Sequence, residues 1–349
     1  MASLGRRLCC HVIRRAMNLT RVSDSAVLAC VQRRDFKKWE RPYRSQMYKR
    51  RLEVGPEPER PRSAWINWNY DAEIFAFGKR LGEDFDEDIL RQAFTHRSYI
   101  DKEGRKRAEL GFGADLASLE LQDNEELTSR GEEVAHRYIQ AFLRTSYPYL
   151  PEEGIRGICE FLMTEEMLAF IGSNLGLKDL ILSEDFPPLE STISKTFFAV
   201  IGALCESQSE ERAHTFVRDF ILPQLIGKDV NEMWEITNPM GLLTDILTAQ
   251  GHPAPEARLL RESASTTVMS LYWVGIYCNK ELIGESPGET VSIAEEMAAR
   301  ESLKNIFRTA DYREPLKFGR RGENFEVDFD KVNLSLEEYV KPQQSVRDS

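Results

Sequence analysis

From about Trp65 onward, apolar residues recur at helical spacing. In DEDILRQAFTHRSY, Ile89, Leu90, Ala93 and Phe94 fall at i, i+1, i+4 and i+5 behind Asp86, which predicts one amphipathic helix with an N-cap and a single buried stripe. After Pro151, residues Ile155, Ile158, Cys159 and Leu162 share one helical face, and Gly172 and Gly176 punctuate the region that follows. TISKTFFAVIGALCES is apolar on nearly every side, the pattern of a helix at the centre of a core. Beyond Asn238-Pro239 the period changes. Met240, Leu242, Leu243, Ile246 and Leu247 make a short helix, and a first strand is expected near Arg258 to Glu262. SLYWVGIYCNKELIGES then reads as a hairpin turning at Asn279-Lys280, and helical spacing returns from Val291 to Phe307. The expected order is α-β-β-β-α, with an irregular tail after Asp311.

A chain of 349 residues is long enough for about two domains at roughly 150 residues each, which excludes peptide-hormone and disulfide-mini-protein classes. Hydrophobic residues at 42% and charged residues at 30% exclude a wholly disordered chain. No run of about 18 apolar residues occurs, so no helix is expected to span a bilayer. The cysteines at 9, 10, 30, 159, 205 and 278 form no CxxC pair, so neither a zinc site nor a disulfide framework is expected.

The net charge of -11 conceals a polarity: residues 1 to 52 carry 14 Lys and Arg against 3 Asp and Glu, whereas the remainder carries 32 against 54. Arg6, Arg7, Arg14, Arg15 and Arg21 alternate with apolar residues, and no acid precedes Asp24. That composition is expected of a mitochondrial targeting presequence over 1–30, the alternative being a solvated basic tail. In the basic extension and Pro-rich linker, 31–64, cations at Arg33, Arg34, Lys37, Lys38, Arg41, Arg44, Lys49, Arg50 and Arg51 are interleaved with Phe36, Trp39, Tyr43 and Tyr48. Cations can neutralise phosphates and rings can stack on bases, so these nine residues are the candidate RNA contacts.

Gln92-Ala93-Phe94-Thr95-His96-Arg97-Ser98-Tyr99, Asn124-Glu125-Glu126-Leu127 with Gly131, Tyr147-Pro148, Leu175-Gly176-Leu177 and Phe197-Phe198-Ala199-Val200-Ile201-Gly202-Ala203 follow the order found in the ribonuclease III family, which the chain resembles. The resemblance implies an α-helical ribonuclease III-like domain, 65–230, followed by an α-β-β-β-α double-stranded-RNA-binding-like domain, 236–310, and a C-terminal tail, 311–349. Ribonuclease III enzymes cleave duplex RNA with divalent ions held by carboxylates, which offset the charge of closely spaced dications. At the positions matching those ligands this chain has Thr128, Glu132, Lys195 and Phe198, of which Glu132 alone is a carboxylate. Phe198 offers no lone pair, Thr128 is a neutral weak ligand, and Lys195 places a cation where a metal should sit. The expectation is a degenerate domain with no metal, no cofactor and no catalysis, in which Phe198 joins the core, Lys195 pairs with Glu132, and His96 is a packed or hydrogen-bonding residue.

The second domain shows a similar erosion. Where the family's last helix opens with a lysine cluster that grips phosphates, this chain has Val291-Ser292-Ile293-Ala294-Glu295. From Lys280 to Phe307, 3 Lys and Arg stand against 6 Asp and Glu, a surface expected to repel a duplex. Stretches such as Asn67-Trp68-Asn69-Tyr70-Asp71, Asn238-Pro239-Met240-Gly241-Leu242-Leu243 and Pro287-Gly288-Glu289-Thr290-Val291 resemble the branch of the family found in the large subunit of the mitochondrial ribosome. That branch implies a structural constituent whose partners are mitochondrial ribosomal RNA and large-subunit ribosomal proteins, supporting subunit assembly and translation. The alternatives are a mitochondrial double-stranded-RNA processing endoribonuclease, or an RNA chaperone. Whether the ribonuclease III-like domain pairs with a second copy, another chain or neither is left open.

Overall fold

The basic extension contains a helix, α1 (Glu40–Val54), exposed along the side chains described from 41 to 54. The structure, a computed structural model, describes residues 40–55, 60–110, 121–264, 267–310, 315–318, 322 and 325–341. Residues 1–59 form one unit and 60–349 another. The segment from Glu40 to Val54 is helical because Glu40, Arg41, Arg44, Gln46, Met47, Lys49 and Leu52 are good helix formers. Gly55, at φ +85°, ends the helix by donating its N–H to the Arg51 carbonyl at 3.0 Å.

The second unit begins with helices. They are α2 (Tyr70–Leu81), α3 (Glu87–Ala93), α4 (Arg97–Glu109), α5 (Glu125–Ser146), α6 (Glu152–Leu162), α7 (Glu165–Leu175), α8 (Glu190–Ser207) and α9 (Glu210–Phe220). The α6 residues Ile155, Ile158, Cys159 and Leu162 are all buried, as their spacing requires. The α8 helix is buried on nearly every side and packs most closely against α5. Their contact needs glycine: a Cβ on Gly131 of α5 would stand 1.9 Å from the Phe198 carbonyl oxygen, and one on Gly202 of α8 would stand 2.2 Å from the Leu127 carbonyl oxygen.

The expected single helix from Asp86 to Tyr99 is two. The α3 helix, capped by Asp86 accepting from the Asp88 N–H, stops at Ala93, and Thr95 forms a parallel bridge with Leu182. The His96 N–H then donates to the Leu182 carbonyl at 3.1 Å, and His96 caps α4. Tertiary hydrogen bonding with the 180–184 segment outweighs the continuous hydrophobic pattern.

The last part has the order α10 (Pro239–Ala249), β1 (Glu256–Ser263), β2 (Leu271–Cys278), β3 (Glu281–Gly288) and α11 (Val291–Ile306), with an antiparallel sheet β1-β2-β3. Asn279 and Lys280 both have positive φ, +51° and +68°, as a two-residue hairpin matching the strand twist requires. Leu243, Ile246, Ile276, Ala298, Leu303 and Phe307 form the core between sheet and helices.

Among its described residues the tail is irregular, as expected, apart from one short helix, and it packs against both parts. Phe325 meets Phe142 edge-on at 5.3 Å, and Asn333 donates to the carbonyls of Tyr147 and Leu150 at 2.7 and 2.9 Å. A short helix, α12 (Leu336–Val340), opens with a reciprocal cap between Ser335 and Glu338. Its Tyr339 lies edge-on to Phe307 at 5.6 Å and donates to the Tyr149 carbonyl at 2.8 Å. The link between the domains is also held: Asp229 pairs with Lys304 at 2.9 Å, Thr309 donates to the Asn231 side-chain oxygen at 2.6 Å, and Trp234 covers Gly157 so closely that a Cβ there would be 2.8 Å from its own Cβ.

Candidate functional site

Thr128 and Glu132 stand one helical turn apart on α5, and Thr128 faces the α8 segment that carries Lys195 and Phe198. The Thr128 hydroxyl shares its one proton between the Asn124 carbonyl, at 2.7 Å, and the Lys195 carbonyl of α8, at 3.2 Å, so it links α5 to α8. Phe198 is 7% exposed and belongs to the core, and its carbonyl is the one that Gly131 approaches. Lys195 and Glu132 are both exposed and do not form the expected ion pair. The Lys195 backbone sits at Thr128, which is about 6 Å along α5 from Glu132.

His96 lies at the same end. Its Nδ1 accepts from the Ser98 N–H at 3.3 Å and lies 2.8 Å from the Ser98 hydroxyl oxygen, which makes it the N-cap of α4. Burial, and then the positive charge of Lys195, hold its pKa below the ordinary 6.5 against the opposing pull of Asp123. Gln92 donates to the Asp123 carbonyl at 3.0 Å, and Asn124 donates to the Ala93 carbonyl at 3.1 Å. Gln92 and Asn124 are spent on joining α3 to the start of α5, and His96 on capping α4. Among the described residues, no group of three His, Cys, Asp or Glu side chains could hold a metal ion. One carboxylate, a neutral hydroxyl already engaged, a phenyl ring and an ammonium do not fit a pair of divalent cations.

The second candidate interface is likewise poor in cations. At the start of α11, Thr290 caps the helix by accepting from the Ile293 N–H at 3.2 Å, and Val291, Ile293 and Met297 are about half exposed. The helix's first basic residue, Arg300, pairs with Glu296 at 2.9 Å, and Lys304 pairs with Asp229. Of the nine candidate RNA contacts, Arg41, Arg44, Lys49, Arg50 and Arg51 are exposed on α1, whereas Arg33, Arg34, Lys37 and Lys38 lie outside the described residues.

No local pattern in the sequence marks the recess between residues 229–236 and α11, whose walls are distant along the chain, or the tail contacts that clamp the domains. For α12 itself a signal was present, since Ser335-Leu336-Glu337-Glu338 has the spacing of a capping box.

A helical domain built on the α5–α8 contact, followed by a three-stranded sheet flanked by α10 and α11, defines a ribonuclease III-like protein with a double-stranded-RNA-binding-like domain. Residues 69–204 match the model of the endonuclease domain of large ribosomal subunit protein mL44, and residues 234–340 match that of its double-stranded-RNA-binding domain. The large ribosomal subunit protein mL44 of Caenorhabditis elegans is 33% identical over 312 residues, covering 87% of this chain and 77% of that relative. Ribonuclease 3 of Enterococcus faecalis is 28% identical over 228 residues, covering 63% of this chain and 91% of that enzyme. The nuclease domain of a ribonuclease III from Campylobacter jejuni, a solved structure, is 23% identical with a TM-score of 0.35, covering 44% of this chain and 96% of its own. The chain belongs to the mL44 family of large ribosomal subunit proteins.

Proposed function

We propose that the chain is a structural constituent of the large subunit of the mitochondrial ribosome, and that its ribonuclease III-like domain is a catalytically degenerate scaffold. The observation that carries the ribosomal reading is the similarity, over 312 residues, to a relative named as a large ribosomal subunit protein. The non-catalytic reading rests on Thr128, Lys195 and Phe198, which stand where the family's carboxylates are expected and leave Glu132 alone. The arginine-rich, acid-poor composition of residues 1–30 supports entry into mitochondria. In this reading the basic extension, 31–64, contacts ribosomal RNA through Arg33, Arg34, Lys37, Lys38, Arg41, Arg44, Lys49, Arg50 and Arg51, while the domains at 65–230 and 236–310 meet neighbouring ribosomal proteins.

Depletion of the protein tests this function. A structural constituent predicts loss of large subunits and of mitochondrial translation, with no accumulation of uncleaved duplex RNA. Accumulated precursors, together with Mg²⁺- or Mn²⁺-dependent cleavage by purified protein that Glu132→Gln abolishes, would establish a nuclease instead.

A further inference from the structure

We propose that the recess between residues 229–236 and α11 docks a basic segment of a neighbouring protein, carrying apolar anchors, in place of RNA. The recess has a volume of about 640 Å³ and is walled by Trp234, Ile236, Ile293, Met297 and Phe307. That size is in the range of about 300–1,000 Å³ in which grooves receive ligand groups. Ile293 and Met297, four residues apart on one face of α11, are 46% and 45% exposed. Singly exposed apolar side chains need no explanation, but these two share one recess with an indole.

Charge selects the class of occupant. The lining carries Asp229, Glu232, Glu235, Glu296 and Glu301 against Arg300 and Lys304. Both cations are engaged, Arg300 by Glu296 and Lys304 by Asp229, whereas Glu232 and Glu235 make no ion pair. A phosphate backbone brought to this surface meets uncompensated acids; a Lys- or Arg-rich segment meets complementary ones. The wall opposite α11 is preformed. Asn231 is locked to Thr309, Asp229 to Lys304, and Trp234 is wedged against Gly157 and Phe307, so an occupant need not order the link between the domains. Recognition therefore takes two apolar side chains on one face of the incoming segment and basic residues flanking them.

That the neighbour is ribosomal rests on the proposed function; the preference for a basic, apolar-anchored segment does not. Purified full-length protein is titrated with a fluorescent 18-residue Leu/Lys amphipathic peptide, with its Leu→Gln counterpart, and with a 20-base-pair RNA duplex. The expected result is saturable binding of the Leu/Lys peptide alone. It should be weakened about tenfold by Met297→Asp and about tenfold at low salt by the pair Glu232→Lys and Glu235→Lys, and be unchanged by Glu262→Lys on the exposed β1 strand. Equal binding by all variants, or displacement of the peptide by the duplex, would overturn the proposal, provided that each variant retains the parent melting temperature. A photo-crosslinker in place of Met297, in protein assembled into subunits, should then label a Lys- and Arg-rich segment of another protein. Labelling of RNA, or of residues 31–39 of the same chain, would also overturn it. Failure of the protein to enter subunits would count against the proposed function and leave the peptide titration decisive for the recess.

Discussion

Gly131 lies so close to the backbone of Phe198 that a Cβ on it would stand 1.9 Å from the Phe198 carbonyl oxygen. The obstructing atom is backbone, and a Cβ on Gly202 would likewise stand 2.2 Å from the Leu127 carbonyl oxygen, so neither helix can admit a side chain at this contact without shifting. Gly131→Ala is therefore expected to destabilise the fold by about 3 kcal/mol or more, at or above the upper end of overpacking costs. Gly202→Ala should behave alike, and the double variant should be less than additive because both substitutions separate the same helices. Urea unfolding of the full chain checks all three.

Phe198 tests the proposed degeneracy of the site. Phe198→Glu would bury a carboxylate among apolar side chains with no cation paired to it. We expect a loss of about 3–5 kcal/mol, the cost typical of an uncompensated buried charge, and no gain of metal-dependent cleavage. Thr128→Val should cost only about 1 kcal/mol, since it removes one hydroxyl proton shared between the Asn124 and Lys195 carbonyls. Melting curves and a duplex cleavage assay on the same preparations read both effects.

His96 and His214 predict the acid side of the stability profile. Both pKa values are held below 6.5, each first by burial and then by a neighbouring cation, Lys195 for His96 and Arg137 for His214, with Asp123 and Glu211 opposing. The native state thus resists a proton that the unfolded state accepts. Their contribution is complete above pH 6.5 and is lost as the pH falls through 6.5 toward the lowered folded values. Protonation of the His96 Nδ1 would also remove the acceptor for the Ser98 N–H. Stability should fall between pH 7 and 5, and His96→Gln with His214→Gln should flatten that slope; a slope unchanged in the double variant would refute the assignment.

The tail offers a sharper structural test. Asn333→Ala removes donors to the Tyr147 and Leu150 carbonyls at a buried position, so a loss of about 2 kcal/mol is expected. Hydrogen exchange should show faster opening near residues 147–153 in the variant than in the parent.

For the basic extension, replacing Arg41, Arg44, Lys49, Arg50 and Arg51 by Gln should reduce the salt dependence of binding to ribosomal RNA fragments. The slope of log affinity against log salt should fall by about 0.7–0.9 for each cation that meets a phosphate. An unchanged slope would remove α1 from the RNA contacts.

The elements most legible in the sequence were those whose signal is local. The Asn279-Lys280 turn, the buried face of α6 and the all-round apolar α8 helix each follow from side chains close in sequence. The division of α3 from α4 was not legible, because it depends on Leu182, which is far away along the chain. Nor was the absence of the Lys195–Glu132 pair, since the relative offset of α5 and α8 is set by the packing of Gly131 and Gly202. The recess beside α11 was hidden for the same reason: Trp234 and Met297 are separated in sequence and share a surface only after the link folds against the helix.

The most direct test of the ribosomal role is sedimentation of detergent-lysed mitochondria through a sucrose gradient in moderate salt, with and without EDTA, following this protein by antibody. The protein is expected to travel with the large subunit and to stay with it when EDTA separates the subunits. A protein remaining near the top of the gradient as a small free species would contradict that role.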